Sequence, residues 1–125
     1  YYAQYAHARC AAVRRKAEEA GITLRPASAV DRSLLQHPKE LELLRTLAAF
    51  PREVRQAAEA MAPHRLTAYV RVIGQALHQY YEECPALKDG VPDDLRDSRL
   101  ALFDTTRTVM ANLLHLLGVS APDRM

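Results

Sequence analysis

The chain has 125 residues, enough for one domain with its own hydrophobic core and no need of metal or disulfide staples. Its composition is 49% hydrophobic and 26% charged, that of a soluble helical protein, and no apolar run approaches the roughly 20 residues of a membrane span. A net charge of +2, from 17 Lys and Arg against 15 Asp and Glu, excludes a nucleic-acid binder that works through overall field, so any RNA contact must come from local arrangement and aromatic stacking.

Five helical segments are predicted, with no repeats and no strand-like alternation. The first runs from the start to about Ala20, with Tyr2, Tyr5, Ala6, Arg9, Cys10, Val13 and Ala17 at helical spacing. Gly21 suits the left-handed residue that ends it. Ile22 to Gln36 reads as a connector punctuated by Pro26, Ser28 and Asp31. The second helix is expected to start at Pro38, whose fixed φ fits a first helical position, and to run to Phe50 on a stripe of Leu41, Leu44, Leu47 and Ala48. Pro51 opens a short third helix through Met61, with Val54, Ala57, Ala58 and Met61 facing inward. Pro63 opens the fourth, whose stripe is Leu66, Tyr69, Val70, Ile73, Leu77, Tyr80, Tyr81 and Cys84, and Pro85 stops it. Pro85 to Arg96 reads as a surface loop. The fifth helix is expected from about Ser98 to Leu117, with Asp97 as N-cap and Gly118 at its end. The implied fold is all-α, a five-helix bundle. Its core should include Leu44, Leu47, Ile73, Leu77, Phe103, Val109 and Leu113.

Most familiar catalytic chemistry is missing. There is no Gly-rich phosphate loop, GxSxG elbow or HExxH pair. Glu82-Glu83 and Asp93-Asp94 are neighbours in sequence and do not flank a substrate, so they read as solvated surface. Cys10 and Cys84 read as two reduced, buried thiols of a cytoplasmic protein. With His7 and His78 they number four potential zinc ligands but lack CxxC-type spacing, so no metal is expected.

Five of the six tyrosines cluster, at Tyr1, Tyr2 and Tyr5 and at Tyr80 and Tyr81. A core-edge role, ring buried and hydroxyl wet, covers Tyr2, Tyr69 and Tyr80. Tyr80 and Tyr81 point about 100° apart on a helix, which sends one of them off the core side. Tyr5 and Arg9 stand at i, i+4 and share a face, so they can offer a ring and a guanidinium to an unstacked RNA base. Arg65 lies in the first turn of the fourth helix, where a cation opposes the dipole, and an acidic partner is expected, a carboxylate ahead of an RNA phosphate. Arg14, Arg15 and Lys16 form a basic run that reads as a solvated face or a track for a phosphate backbone.

Several short signatures recur in fixed order: YAQYAHAR from Tyr2 to Arg9, FPREV from Phe50 to Val54, APHRL from Ala62 to Leu66, YYEEC from Tyr80 to Cys84, and LLHLLGVSAPDRM from Leu113 to Met125. Together they resemble the C-terminal anticodon-binding (DALR) domain of arginyl-tRNA synthetases, over essentially the whole of residues 1–125. Asn112-Leu113, where relatives commonly have Asn-Gly, and Pro85 after Cys84 depart from the pattern. Asp97-Ser98-Arg99-Leu100 is an imperfect echo of the DALR motif. Tyr1 follows no initiator Met, so the chain is expected to be part of a longer protein.

The resemblance implies a helical bundle of the class I synthetase type that grips the anticodon stem-loop of arginine tRNA. Tyr5 and Arg9 are expected to face the anticodon loop, with Tyr81 and the terminal Met125 completing a pocket for one base. His7 and Arg65 are carried over more weakly and could be structural. The parent enzyme, expected to be monomeric, would ligate arginine to its tRNA with ATP and Mg²⁺ in a catalytic domain of the same chain, so no catalytic residue or cofactor site is expected within residues 1–125. Arginine codons share only a middle G, so the anticodon base to read is a middle C. The alternatives are the helical domain of a related class I synthetase of the cysteinyl type, a poorer match to PHRL and APDRM, and a non-catalytic interaction module from a synthetase paralogue.

Overall fold

The computed structural model describes residues 2–125; the expected clustering of Tyr1 with Tyr2 and Tyr5 lies outside them. Five α-helices form, α1 (Tyr2–Glu19), α2 (Pro38–Ala48), α3 (Phe50–Glu59), α4 (His64–Glu83) and α5 (Asp93–Leu116), with short 3₁₀ turns at Ala27–Ala29 and Arg32–Leu34. Only Ala49, itself in helical conformation, separates α2 from α3. No strand occurs among the described residues, and none of their helices is long and apolar enough to cross a membrane.

The central element is α4, which touches all four other helices: α1 and α5 pack together on one side of it, and α2 with α3 cover the other. Its buried residues are Leu66, Tyr69, Val70, Ile73, Gly74, Ala76, Leu77 and Tyr80: two small residues join the expected stripe, Tyr81 leaves it half-buried, and Cys84 is buried just beyond the helix as its cap. The small residues permit close approach, and the Tyr2 ring lies so near Gly74 that a Cβ there would meet it. Tyr69 and Tyr80 go deeper than the expected core edge, Tyr80 fully buried, and protein carbonyls replace water at their hydroxyls. Their hydroxyls donate to the carbonyls of Thr46 at 2.7 Å and Arg99 at 3.0 Å. Tyr2 stays shallower, with half of it exposed.

Three helices end alike. At α1, α3 and α5 a backbone N–H reaches five residues back, Ile22 to Ala17, Ala62 to Ala57 and Val119 to Leu114, each at 2.9 Å. The turn requires a left-handed residue, and Gly21 and Gly118 supply it at φ 76° and 73°. Met61 takes the same place at φ 51°. That geometry turns its side chain outward, so Met61 is almost fully exposed and not the inward residue that periodicity suggested.

Helix α2 is rotated from its expected stripe. The buried residues are Glu40, Leu43 and Leu47, while Leu44 is half-buried and Ala48 exposed. The cause is Glu40. One of its oxygens accepts from the backbone N–H of His37 at 3.1 Å, while the His37 ring accepts from the Lys39 N–H at 3.0 Å, closing a capping box. The other oxygen takes the Arg99 guanidinium at 2.9 Å. Arg99 also donates to the Pro85 carbonyl at 2.8 Å, so a buried charge pair ties α2 to α5 and to the end of α4.

Helix α5 starts at Asp93, five residues before the expected Ser98, and Pro92 precedes it where Asp97 was expected as cap. Asp93 and Asp94 sit in its first turn, where carboxylates favour the helix dipole. Asp97 lies inside the helix and binds the Arg96 guanidinium at 2.9 Å. Ser98 is buried and donates to the Asp31 carbonyl at 2.8 Å, anchoring the connector. Val109 is half-buried, while Ile73, Leu77, Phe103 and Leu113 are core as expected.

Both cysteines are buried and unbridged, and burial pushes the Cys10 thiol up to about 12 and Cys84 up to about 11. Both values lie above the ordinary 9.0, so folding favours the protonated thiols. Their contribution is complete below about pH 9 and is lost as pH rises through the folded values, because the unfolded chain releases these protons first. Stability measured by urea unfolding should therefore fall between pH 9 and 11, with a shallower slope in a Cys10→Ala, Cys84→Ala variant; equal slopes would show that the thiols do not drive it. Replacing Arg99 by Leu leaves Glu40 buried without a counter-charge and should cost roughly 3–5 kcal/mol in the same measurement.

Candidate functional site

Helix α1 presents Tyr5, Arg9, Arg15 and Lys16 toward the C-terminal tail, and α4 presents Tyr81 beside them. Tyr80 is fully buried and tied to Arg99, so the next residue turns off the core and Tyr81 is left half-buried at the surface. Its ring meets Phe103 edge-on, with centroids 6.3 Å apart and planes at 82°. Arg9 lies between the two tyrosines, its guanidinium carbon 4.4 Å from the Tyr81 centroid and 5.2 Å from that of Tyr5. It donates to the Tyr5 hydroxyl at 3.3 Å and to Nδ1 of His78 at 3.2 Å, so the His78 proton sits on Nε2. A long, flexible cation is thereby held in place.

The tail completes the arrangement. Gln4 donates to the Ser120 carbonyl at 3.0 Å, Nδ1–H of His7 donates to the Pro122 carbonyl at 2.9 Å, and Arg15 donates to the Asp123 carbonyl at 2.8 Å. These three bonds lay residues 120–123 along α1 and bring Met125 to the rim, 59% exposed. The result is a groove of about 320 Å³ bordered by Tyr5, Arg9, Tyr81 and Met125. Arg15, Lys16 and Arg124 add positive charge, and Asp123 is the single acidic side chain in the lining. An open, cationic groove with exposed rings suits a planar, polar group attached to a phosphate.

Four residues singled out from sequence thus meet at one place, although up to 120 positions separate them. The two weaker candidates lie elsewhere in function or in space. His7 is 2% exposed and serves the tail. Arg65 lies on a different groove between α2, α3 and α4, where its partner is the Gln56 amide oxygen at 3.3 Å and no carboxylate. Sequence reasoning weighed His78 only as a metal ligand and did not single out Arg124. The i, i+3 spacing of His78 and Tyr81 was the available signal for the first. Among the described residues no three His, Cys, Asp or Glu side chains group to hold a metal ion.

Residues 3–125 match the family model described as the DALR anticodon binding domain. The chain belongs to that family. It is 47% identical over its whole length to an arginine–tRNA ligase of Symbiobacterium thermophilum and 44% identical to one of Moorella thermoacetica. In both cases it spans 22% of the relative's length. Among solved structures, Thermus thermophilus arginyl-tRNA synthetase superposes with a TM-score of 0.79 at 32% identity, covering 99% of this chain and 21% of that one. This DALR domain therefore corresponds to about a fifth of its relatives.

The groove of the DALR domain depends on its tail staying docked. His7→Leu keeps an apolar side chain in a buried place but removes the bond to Pro122, so residues 119–125 should become cleavable by protease while α1 to α5 stay protected. Unchanged cleavage of the tail, followed by mass spectrometry, would show that Gln4 and Arg15 suffice.

Proposed function

We propose that this domain binds the anticodon loop of arginine tRNA, within an enzyme that joins arginine to that tRNA. The observation that carries the reading is Arg9 held between Tyr5 and Tyr81, with Met125 on the rim of the same groove. The exposed Tyr5 ring offers a stacking face to a base turned out of the loop. Arg9 offers donors to the acceptor atoms of a cytosine edge, and the polarizable Met125 thioether packs beside the ring. One groove of this size admits one base. Arginine tRNAs share only the middle base of the anticodon, a C, and reading that base alone tolerates variation at the outer two.

Catalysis belongs, on this reading, to another domain of the same chain, which supplies the sites for ATP and Mg²⁺. The match to arginine–tRNA ligases over the full length of this chain supports that placement. The reading also makes the enzyme a cytoplasmic monomer, and the two reduced, buried thiols agree with a reducing compartment.

The test uses the whole enzyme. Tyr5→Ala and Tyr81→Ala should each cost about 1–3 kcal/mol in kcat/KM for charging arginine tRNA, the scale of a lost ring–base stack. Deleting Met125 should weaken charging in the same sense. Arginine activation, followed by ATP–pyrophosphate exchange, should stay near wild type in all three. If both tyrosine variants charge the tRNA normally, the groove does not read the anticodon.

A further inference from the structure

Tyr81 adjoins two grooves. Away from the tail lies a second depression of about 310 Å³, close to the first in size. The two share Val13, Lys16 and Tyr81, so Tyr81 borders both. The second space has an apolar floor from Phe103 and a wall from Pro85 and Leu87, in the segment that follows α4. Its cations are Lys16 and Lys88, with no ion-pair partner for either among the described residues, and no carboxylate lines it.

The chain builds this place deliberately. The departure at Pro85 stops α4 immediately after Cys84, and the Arg99 guanidinium holds the Pro85 carbonyl at 2.8 Å. Ala86 is thereby tucked into the core while Leu87 and Lys88 are turned outward beside Tyr81. A continued helix would carry these residues elsewhere.

We propose that this second groove takes another unpaired base of the same RNA strand, adjacent to the one in the first groove, with Lys16 and Lys88 set against the intervening phosphodiester. The proposal rests on the anticodon reading above. Continuity is the main argument: Lys16 borders both grooves, so a strand with one base in the first groove has its next phosphate and base within reach of the second. Chemistry is the second. Apolar surface with ammonium groups at its edge accepts any base by its face and reads none by its edges, since neither lysine nor Leu87 offers a bidentate pattern. The first groove would then select the base, and the second would hold the strand without selecting.

The test pairs variants of the full-length enzyme with anticodon stem-loops of arginine tRNA that each lack one base. Tyr5→Ala should lose its effect on the stem-loop missing the base read by the first groove. Leu87→Ala, at an exposed position and with an unchanged thermal midpoint, should weaken binding of the intact stem-loop about five- to tenfold. That loss should persist on the RNA lacking the first base and vanish on the one lacking its neighbour. Lys88→Ala should lower the slope of log affinity against log salt by about one for every RNA. If Leu87→Ala binds like wild type, or loses affinity equally on all stem-loops, the second base site is wrong while the first stands; an equal loss points instead to a contact with another domain of the enzyme. If Tyr5→Ala changes nothing on any RNA, the anticodon reading falls and the second site falls with it.

Discussion

One carboxylate carries an unusual share of this structure. Glu40, 1% exposed, closes the capping box of α2 with one oxygen and neutralises Arg99 with the other. Arg99 in turn holds the Pro85 carbonyl, and its own carbonyl accepts from Tyr80. Burying two charges is costly, and the cost is offset here because both Glu40 oxygens accept and no buried side-chain nitrogen or oxygen among the described residues lacks a partner. The rotation of α2 and the rotation of α4 near its end are both set through this one cluster. Tyr81 follows Tyr80 in sequence, so its place at the groove is a consequence of the same pair.

The distribution of charge explains how a chain of net charge +2 forms a cationic groove. Arg14 is paired with Glu18 and Asp104, Arg107 with Asp104, Arg96 with Asp93 and Asp97, and Arg99 with Glu40. Around the groove the balance differs, since Arg9 leans on rings and an imidazole nitrogen and Arg15 on a carbonyl. The local field arises from where carboxylates are withheld. Within the Arg14-Arg15-Lys16 run, the first residue is a structural ion pair and the other two face the groove.

Local chemistry made much of this legible in the sequence. The α4 stripe, the three prolines at helix starts and Gly21 and Gly118 at helix ends each act within one or two turns. Tyr5 and Arg9 could be paired by their spacing, and Tyr81 could be sent off the core by its adjacency to Tyr80. Met125 entered only through resemblance, because nothing local marks a tail that docks. The misreadings have a common origin in partners distant in sequence. Apolar residues at 41, 43, 44 and 47 permit two rotations of α2, and a buried Glu40 facing Arg99 chooses the one that periodicity did not favour. Pro92-Asp93-Asp94 serves equally as a turn and as a first helical turn, and Ser98 joined to Asp31 commits it to the helix. The bond from His7 to Pro122 crosses 115 positions and leaves no periodic trace.

The packing of α1 against α5 also sets an order on folding. Helices α2, α3 and α4 follow one another with tight connections, and their mutual contacts form at short loop-closure cost. Helix α1 finds its main partner only in a segment that begins at Asp93. During synthesis its apolar face of Ala6, Cys10, Val13 and Ala17 therefore waits, half covered at best by α4, until most of the domain has left the ribosome. The groove shares that delay, because Tyr5 and Arg9 ride on α1 and the tail that borders them follows α5. The groove is the last part of the domain to exist, assembled on a scaffold that is already closed.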